Sequence, residues 1–264
     1  MSALDLPALL DLADRAARAG GEIVRDNLGH LREVRTKAPG DYVSEADLAS
    51  ENAIRAVLES GAALPVFGEE TGGDETDTGW LVDPLDGTAN FVHGFDAVGV
   101  SVGLIDGGVP VVGVVHAPLL DRTFCAARGI GAFRNDRRIE VSDRPPDRAI
   151  VATGFPFRRK ELLARYEPAL GAALRRFEDL RRAGSASLDL CWTAEGVFDG
   201  YFELRLGPWD VAAGGVIVRE AGGVVTDWAG DDRAWLRSGN ILAGPPAVHE
   251  ALLDIAASGA SSTA

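Results

Sequence analysis

Apolar residues near the amino terminus recur at helical spacing. Between residues 3 and 28 the leucine, alanine, isoleucine and valine side chains fall on one stripe, which predicts an amphipathic first helix. Ser44 and Asp47 follow with the spacing of a capping box, which predicts a second helix over about residues 45 to 59. The Asp47 carboxylate then has two compatible roles, as the group that completes this cap and as an acid facing a metal pocket.

Short apolar runs between turn residues dominate the middle of the chain. Residues 65 to 67 and 80 to 82 are typical of buried strands, and Asp-Gly-Gly at 106 to 108 separates two apolar segments in the manner of a hairpin. Pro84 is expected to end the strand before it. Further short strands are predicted at residues 122 to 127, 132 to 134 and 149 to 153, so that residues 65 to 153 should be mostly sheet.

Helical and strand patterns alternate after this region. Helices are predicted over residues 158 to 177 and 187 to 195, with strands at 179 to 182 and 197 to 203. Pro208 starts a further helix that should run to about residue 221, where paired glycines end it.

Composition and charge exclude several classes of function. The chain has 264 residues, of which 46% are hydrophobic and 25% charged, as in an ordinary globular protein. Its formal net charge of −14 argues against non-specific binding to nucleic acids and to acidic membranes. No apolar run approaches the length of a membrane span, and the charged first helix is unlike a signal peptide. We therefore expect a cytoplasmic protein.

The segment WLVDPLDGTANFVHG, residues 80 to 94, concentrates the candidate chemistry. Asp83 stands where a buried strand ends, and Asp86 follows at a distance that lets both carboxylates and the Leu85 carbonyl face one point. Gly87 permits the sharp turn, and Thr88 begins a helical turn whose free N–H groups favour an anion such as phosphate. Carboxylates beside an anion site need a cation, and these hard oxygen ligands favour Mg²⁺. The alternative is an acidic loop with ordinary turn residues.

Two further acids are positioned to join this group. Glu69 follows the strand at residues 65 to 67, and two adjacent strand ends would bring it beside Asp83. Asp210 begins the predicted helix after Pro208, where it serves either as a metal ligand or as a favourable charge on the helix dipole. For Glu69 the alternative is a solvated acidic loop.

Several motifs resemble those of the inositol monophosphatase family. They are GEET at residues 68 to 71, DPLDGTANFVHG at 83 to 94 and PWDVAAGGVIVREAGG at 208 to 223, with ATGFPF at 152 to 157 and RRAGSASLDL at 181 to 190 similar to the bacterial members. The resemblance implies an α/β (α+β layered) αβαβα sandwich of the inositol monophosphatase and fructose-1,6-bisphosphatase type. It also implies one domain over residues 1 to 264, with a metal- and phosphate-binding part to about residue 145 and a substrate-side part after it.

The resemblance further implies a homodimer that hydrolyses phosphate monoesters with Mg²⁺ and is inhibited by lithium. A first metal ion would be held by Glu69, Asp83 and the Leu85 carbonyl, a second by Asp83, Asp86 and Asp210, and a weaker third near Glu69 and, through water, Asp47. Gly87 and Thr88 N–H groups would bind phosphate oxygens. Thr88 and Asp47, with Glu69 at the third ion and Lys37 nearby, would orient and deprotonate the attacking water. The D-x-x-D spacing argues against a covalent intermediate.

The substrate is less closely specified. By the same resemblance, Asp86, Gly87, Thr88 and Asp210 would contact the phosphate side, and Gly184, Ser185, Ala186 and Glu203 the inositol ring. Inositol 1-phosphate is the expected substrate. Fructose 1,6-bisphosphate would need a cation such as Arg182 or Arg205 for its second phosphate, and histidinol phosphate would offer an amine to Glu203. A hypothesis of another class is a regulatory protein-interaction role with incidental phosphatase activity.

Overall fold

The first layer of the fold is a pair of packed helices. A computed structural model of the chain describes residues 4–29, 34–38, 41–74 and 76–260. Helices α1 (Leu6–Asn27) and α2 (Glu45–Gly61) are separated in sequence by the antiparallel hairpin of β1 (Val34–Ala38) and β2 (Asp41–Ser44). The predicted capping box is confirmed, since Ser44 and Asp47 each bond the other's backbone N–H at the start of α2.

The second layer is a largely antiparallel sheet. Its strands are β3 (Val66–Gly68), β4 (Gly79–Asp86), β5 (Gly99–Asp106), β6 (Val109–Ala117), β7 (Arg122–Ala127), β8 (Gly131–Arg134) and β9 (Arg137–Arg138), and they lie side by side in chain order. Only β3 and β4, among the described strands of this sheet, run parallel. Alternate residues Val100, Val102 and Leu104 of β5 are buried in the cluster beneath α1 and α2.

The third layer holds two helices between this sheet and a second one. They are α5 (Ala186–Ala194) and α6 (Pro208–Glu220). Gly103 and Gly113 pair across β5 and β6, and a Cβ at Gly113 would lie 2.4 Å from the carbonyl oxygen of Ala213 in α6. The absence of side chains at these two positions therefore lets α6 lie directly on the sheet.

The fourth and fifth layers complete the sandwich. The second sheet has the order β11-β10-β12-β14-β13 and consists of β10 (Ile150–Thr153), β11 (Asp179–Arg181), β12 (Gly200–Glu203), β13 (Val224–Thr226) and β14 (Ile241–Gly244). Helices α4 (Leu163–Arg176) and α8 (Pro246–Ala260) cover its outer face, where Phe202 and Leu242 are buried. The short helices α3 (Thr88–His93) and α7 (Trp235–Ser238) lie in connections. The predicted αβαβα layering is confirmed.

Several local predictions need correction. Pro84 does not end β4; the strand continues to Asp86 with a bulge between Asp83 and Asp86. A proline is tolerated there because the bulge interrupts the ladder, and its carbonyl accepts a hydrogen bond from Ser50. The β1–β2 hairpin between α1 and α2 was not predicted. The last two strands and helix α8 were not predicted. None of the helices in the described part of the chain is long and apolar enough to span a membrane.

Candidate active site

Three carboxylates from three elements converge at one point. Glu69 directly follows β3, Asp83 lies in β4 and Asp210 lies in the first turn of α6. The parallel register pairs Gly68 with Val82, and the Glu69 N–H donates to the Val82 carbonyl at 3.0 Å. Glu69 therefore lies beside Asp83 as expected, although Asp83 lies within β4 and not at its end. One carboxylate oxygen from each of the three acids lies within 4.8 Å of the other two.

The electrostatics of this cluster favour a bound cation. Burial, followed by the charges of Glu69, Asp86 and Asp210, raises the pKa of Asp83 well above its ordinary value. Burial and the charges of Glu69 and Asp86 do the same to the pKa of Asp210. Converging carboxylate oxygens that repel one another are the donor set of a hard divalent ion, which would relieve the repulsion. These residues therefore fit Mg²⁺.

Asp86 is held by the loop that leads into α5. Its Oδ2 accepts hydrogen bonds from the Ser185 hydroxyl at 2.7 Å, the Ser187 N–H at 2.7 Å and the Ser187 hydroxyl at 2.6 Å. Burial raises the pKa of Asp86, and these hydrogen bonds oppose the rise. Asp86 is not within the tight group formed by the other three acids. The start of α5 thus orients a predicted metal ligand.

Asp47 connects helix α2 to the turn after β4. Its Oδ2 accepts from the Ser44 N–H at 2.8 Å and the Ser44 hydroxyl at 2.6 Å, while its Oδ1 lies 3.2 Å from the Thr88 hydroxyl. That hydroxyl also lies 3.1 Å from the Leu85 carbonyl oxygen. Burial raises the pKa of Asp47 despite these hydrogen bonds. Both roles foreseen for Asp47, in the cap and beside Thr88, are compatible with this geometry.

The turn after Asp86 is tied to the loop at residue 184. Gly87 has φ 91° and ψ 35°, a left-handed conformation, and a Cβ there would lie 2.8 Å from the Ala97 carbonyl oxygen. The Asn90 side-chain amide donates to the carbonyls of Ala97 at 2.8 Å and Ala183 at 2.9 Å. Gly184 is also left-handed, with φ 88°. The predicted phosphate turn and the predicted ring-binding loop are therefore neighbours.

Glu203 lies at the end of β12. It accepts a hydrogen bond from the Tyr201 hydroxyl, and a Cβ at Gly154 would lie 2.0 Å from the Glu203 carboxylate, so the glycine of ATGFPF makes room for this acid. Burial raises the pKa of Glu203 to about 7, with the Tyr201 hydrogen bond and the charge of Arg182 opposing it. Arg182 and Arg205 are both exposed. Arg182 lies over the ring of Phe157, and Arg205 has a left-handed backbone conformation.

Three residues near the site, Ser50, Glu51 and Ser187, were not predicted from the sequence, although the positions of the first two are informative. Ser50 and Glu51 follow Asp47 by three and four positions and therefore share its face of α2. Ser187 stands in the GSAS segment, but nothing in its spacing indicates a bond to Asp86. The predicted water-side Lys37 lies in β1, and its side chain is outside the described part of the structure.

The chain is similar to known proteins over nearly its whole length. The profile of the inositol monophosphatase family matches residues 5–260. A putative Nus factor SuhB from Neisseria meningitidis is 42% identical over 253 residues, covering 93% of this chain and 97% of its own. A fructose-1,6-bisphosphatase/inositol-1-monophosphatase from Aquifex aeolicus is 38% identical over 258 residues, covering 96% of each chain.

A solved structure extends the comparison to the backbone. The extragenic suppressor protein SuhB from Bartonella henselae superposes with a TM-score of 0.89 at 36% sequence identity, covering 94% of this chain and 98% of its own. The match of sequence and fold spans nearly the whole chain. The protein belongs to the inositol monophosphatase family.

Proposed function

We propose that this protein is a Mg²⁺-dependent phosphate monoester hydrolase whose preferred substrate is inositol 1-phosphate. The observation that carries the proposal is the convergence of Glu69, Asp83 and Asp210 within 4.8 Å, beside a turn that offers backbone N–H groups. Membership of a phosphatase family supports it. By the same family likeness, the proposal includes a homodimer that is sensitive to lithium.

The metal ligands are acids and one carbonyl. Glu69, Asp83 and the Leu85 carbonyl would hold one Mg²⁺, and Asp83, Asp86 and Asp210 another, with a weaker third near Glu69. When bound, these ions neutralise the phosphate dianion, acidify the attacking water and stabilise the leaving alkoxide. The chain supplies a rigid frame for the ligands, since Asp83, Asp86 and Asp210 lie on a buried strand and at a helix start.

Thr88 and Asp47 orient the attacking water. Because the Thr88 hydroxyl donates to Asp47 or to the Leu85 carbonyl, its oxygen lone pairs remain available to a water proton. Asp47, at the end of this hydrogen bond, takes up the proton that the water loses. The Gly87 and Thr88 N–H groups at the start of α3 bind phosphate oxygens.

The substrate alcohol is recognised on the opposite side. Glu203 would accept hydrogen bonds from ring hydroxyls, and the backbone at Gly184, Ser185 and Ala186 would flank the ring. Fructose 1,6-bisphosphate and histidinol phosphate remain alternatives on the same site, with Arg182 and Glu203 as their respective charged partners. Both arginines are exposed, and Arg182 is the better placed of the two because its guanidinium lies over the Phe157 ring and its charge acts on Glu203.

A second candidate function is a regulatory interaction. It is favoured by the relatives that are named Nus factor SuhB, of which one covers 93% of this chain at 42% identity. On this hypothesis the chain would bind a transcription component, and its phosphatase activity would be incidental.

The testing experiment is phosphate release from inositol 1-phosphate, fructose 1,6-bisphosphate, histidinol phosphate and 3′-phosphoadenosine 5′-phosphate, with Mg²⁺ and with EDTA. We expect Mg²⁺-dependent release, greatest with inositol 1-phosphate. Asp86→Asn should abolish release without unfolding the chain, while Asp96→Asn, at an exposed position, serves as the matched control. If another of these esters is hydrolysed fastest, the proposed Mg²⁺-dependent mechanism stands and the proposed substrate, inositol 1-phosphate, is replaced by that ester. No release from any substrate by a metal-binding chain would favour the regulatory function.

A further inference from the structure

The loop that carries Glu69 is anchored by a buried acid on helix α2. The side chain of Glu51 is 0% exposed. Its Oε2 accepts from the Glu70 N–H at 2.8 Å, and its Oε1 accepts from the Thr71 N–H at 3.2 Å and from the Thr71 hydroxyl. The backbone that immediately follows Glu69 is thus bound to a carboxylate that comes from another element of the fold.

Arg55 completes this anchor from the next turn of α2. Its Nε donates to Glu51 at 3.1 Å, its Nη1 donates to the Val66 carbonyl at 3.1 Å, and its Nη2 donates to the Gly72 carbonyl. The side chain of Arg55 is 19% exposed, so the pair is largely shielded from solvent. One ion pair therefore holds both the entrance and the exit of the loop that presents Glu69.

The glycine of the GEET motif has its explanation here. A Cβ at Gly68 would lie 2.2 Å from Oε1 of Glu51. Real Cβ atoms do not approach so closely, and the Glu51 carboxylate cannot swing away because its donors hold it. Any side chain at position 68 would therefore collide with the Glu51 carboxylate, which explains the glycine at this position.

The same face of α2 contacts the two segments that supply Glu69 and, with the Leu85 carbonyl, Asp83. Asp47 reaches Thr88 beside Leu85, Ser50 donates to the Pro84 carbonyl at 2.9 Å, and Glu51 binds the residues after Glu69. These contacts recur at the i, i+3 and i+4 positions of one helix, so α2 sets the relative placement of the Glu69 and Asp83 segments.

We infer that Glu51, paired with Arg55, is the positioning residue that holds Glu69 in place for metal binding. The inference rests on the proposed function for the identity of the metal, but it concerns metal affinity and does not depend on turnover. Partners that orient a metal ligand are worth about 10- to 100-fold in metal affinity. Glu51 is not one of the proposed metal or substrate ligands, and it acts through the Glu70 and Thr71 backbone.

The test measures Mn²⁺ binding to the full chain by electron paramagnetic resonance of the free ion. Mn²⁺ prefers the same oxygen ligands as Mg²⁺. Glu51→Gln keeps the size of the side chain but turns a donor toward the Glu70 and Thr71 N–H groups, and its affinity for Mn²⁺ should fall about 10- to 100-fold. Glu59→Gln, an exposed change of the same charge on the same helix, is the matched control and should bind Mn²⁺ like the parent.

Two further readouts separate positioning from a purely structural role. In Glu51→Gln, amide hydrogen exchange should accelerate more at residues 70 and 71, in the loop after β3, than within helix α2. Raising the Mg²⁺ concentration should restore phosphate release, because the ligand is displaced and not removed. If Glu51→Gln does not fold, Thr71→Val, which removes only the hydroxyl donor, should weaken Mn²⁺ binding in the same direction to a smaller extent.

The outcomes distinguish this inference from the proposed function. A folded Glu51→Gln that binds Mn²⁺ as tightly as Glu59→Gln overturns the positioning role, even if the parent is an active phosphatase. Weakened Mn²⁺ binding in a chain whose parent hydrolyses no phosphate ester supports the positioning role and rejects the phosphatase.

Discussion

The hydroxyl of Thr88 lies 3.2 Å from Oδ1 of Asp47, a residue 41 positions earlier in the chain. The other oxygen of Asp47 is occupied by the cap of helix α2 through Ser44. One side chain thus joins a structural cap to the proposed water-activating hydroxyl. A substitution at Asp47 affects both stability and activity, and the two effects can be separated.

Asp47→Asn should lower kcat about 100-fold or more, because an amide cannot take up the water proton. Loss of the cap should cost about 1 kcal/mol in the free energy of unfolding. Ser44→Ala is the control, since it weakens the cap and leaves the Thr88 contact in place. The measurement is phosphate release together with urea unfolding. Equal losses of activity in the two variants would show that Asp47 acts only through the cap.

Glu203→Gln should reduce kcat/KM for inositol 1-phosphate by about 10-fold, since a hydrogen bond to a charged acceptor is lost. Turnover of a small generic phosphate ester should change little. Because the pKa of Glu203 is raised to about 7, the parent's preference for the inositol ester should increase as the pH rises through that value. The variant should show no such change. A similar loss on both substrates would remove Glu203 from ring recognition.

Gly113→Ala should destabilise the protein by about 1–3 kcal/mol, because the added methyl group would clash with the α6 backbone. Activity should fall as well, since α6 carries Asp210. Gly171→Ala is the opposite case: it lies inside α4, where a Cβ would have its nearest contact at 3.7 Å. That change should stabilise by about 0.5–1 kcal/mol. Urea unfolding of both variants measures the two changes in the free energy of unfolding. A Gly113→Ala variant as stable as the parent would contradict the close packing of α6 on the sheet.

His116 should make the protein less stable as the pH falls. Burial lowers its pKa from 6.5 to about 4, and its Nδ1 lies 2.9 Å from the Thr123 hydroxyl. The unfolded chain therefore takes up the proton first, and stability is lost as the pH falls from 6.5 toward 4. Between neutral pH and pH of about 5, the parent should lose about 1–2 kcal/mol more than His116→Gln. Parallel unfolding curves for the two proteins would contradict this assignment.

Patterns among residues close together in the sequence allowed much of the site to be predicted. The Ser44 and Asp47 spacing predicted the start of α2, and Pro208 predicted the start of α6 with Asp210 in its first turn. Two short apolar runs, each followed by an acid, indicated that Glu69 and Asp83 would lie close together, as they do, although β4 continues past Asp83. These signals succeed because helix caps, periodicity and strand ends depend on residues close together in sequence.

Contacts between distant segments were decided only by tertiary structure. Ser187 binds Asp86 across 101 residues, and Glu51 binds Glu70 across 19, yet neither spacing is distinctive in the chain. The continuation of β4 through Pro84 likewise depends on a bulge and on Ser50 of another element. By itself the sequence determined which acids and turns are present and where helices begin. Packing of the layers decided which donors hold those acids, because buried polar groups must find partners among whatever residues the fold brings beside them.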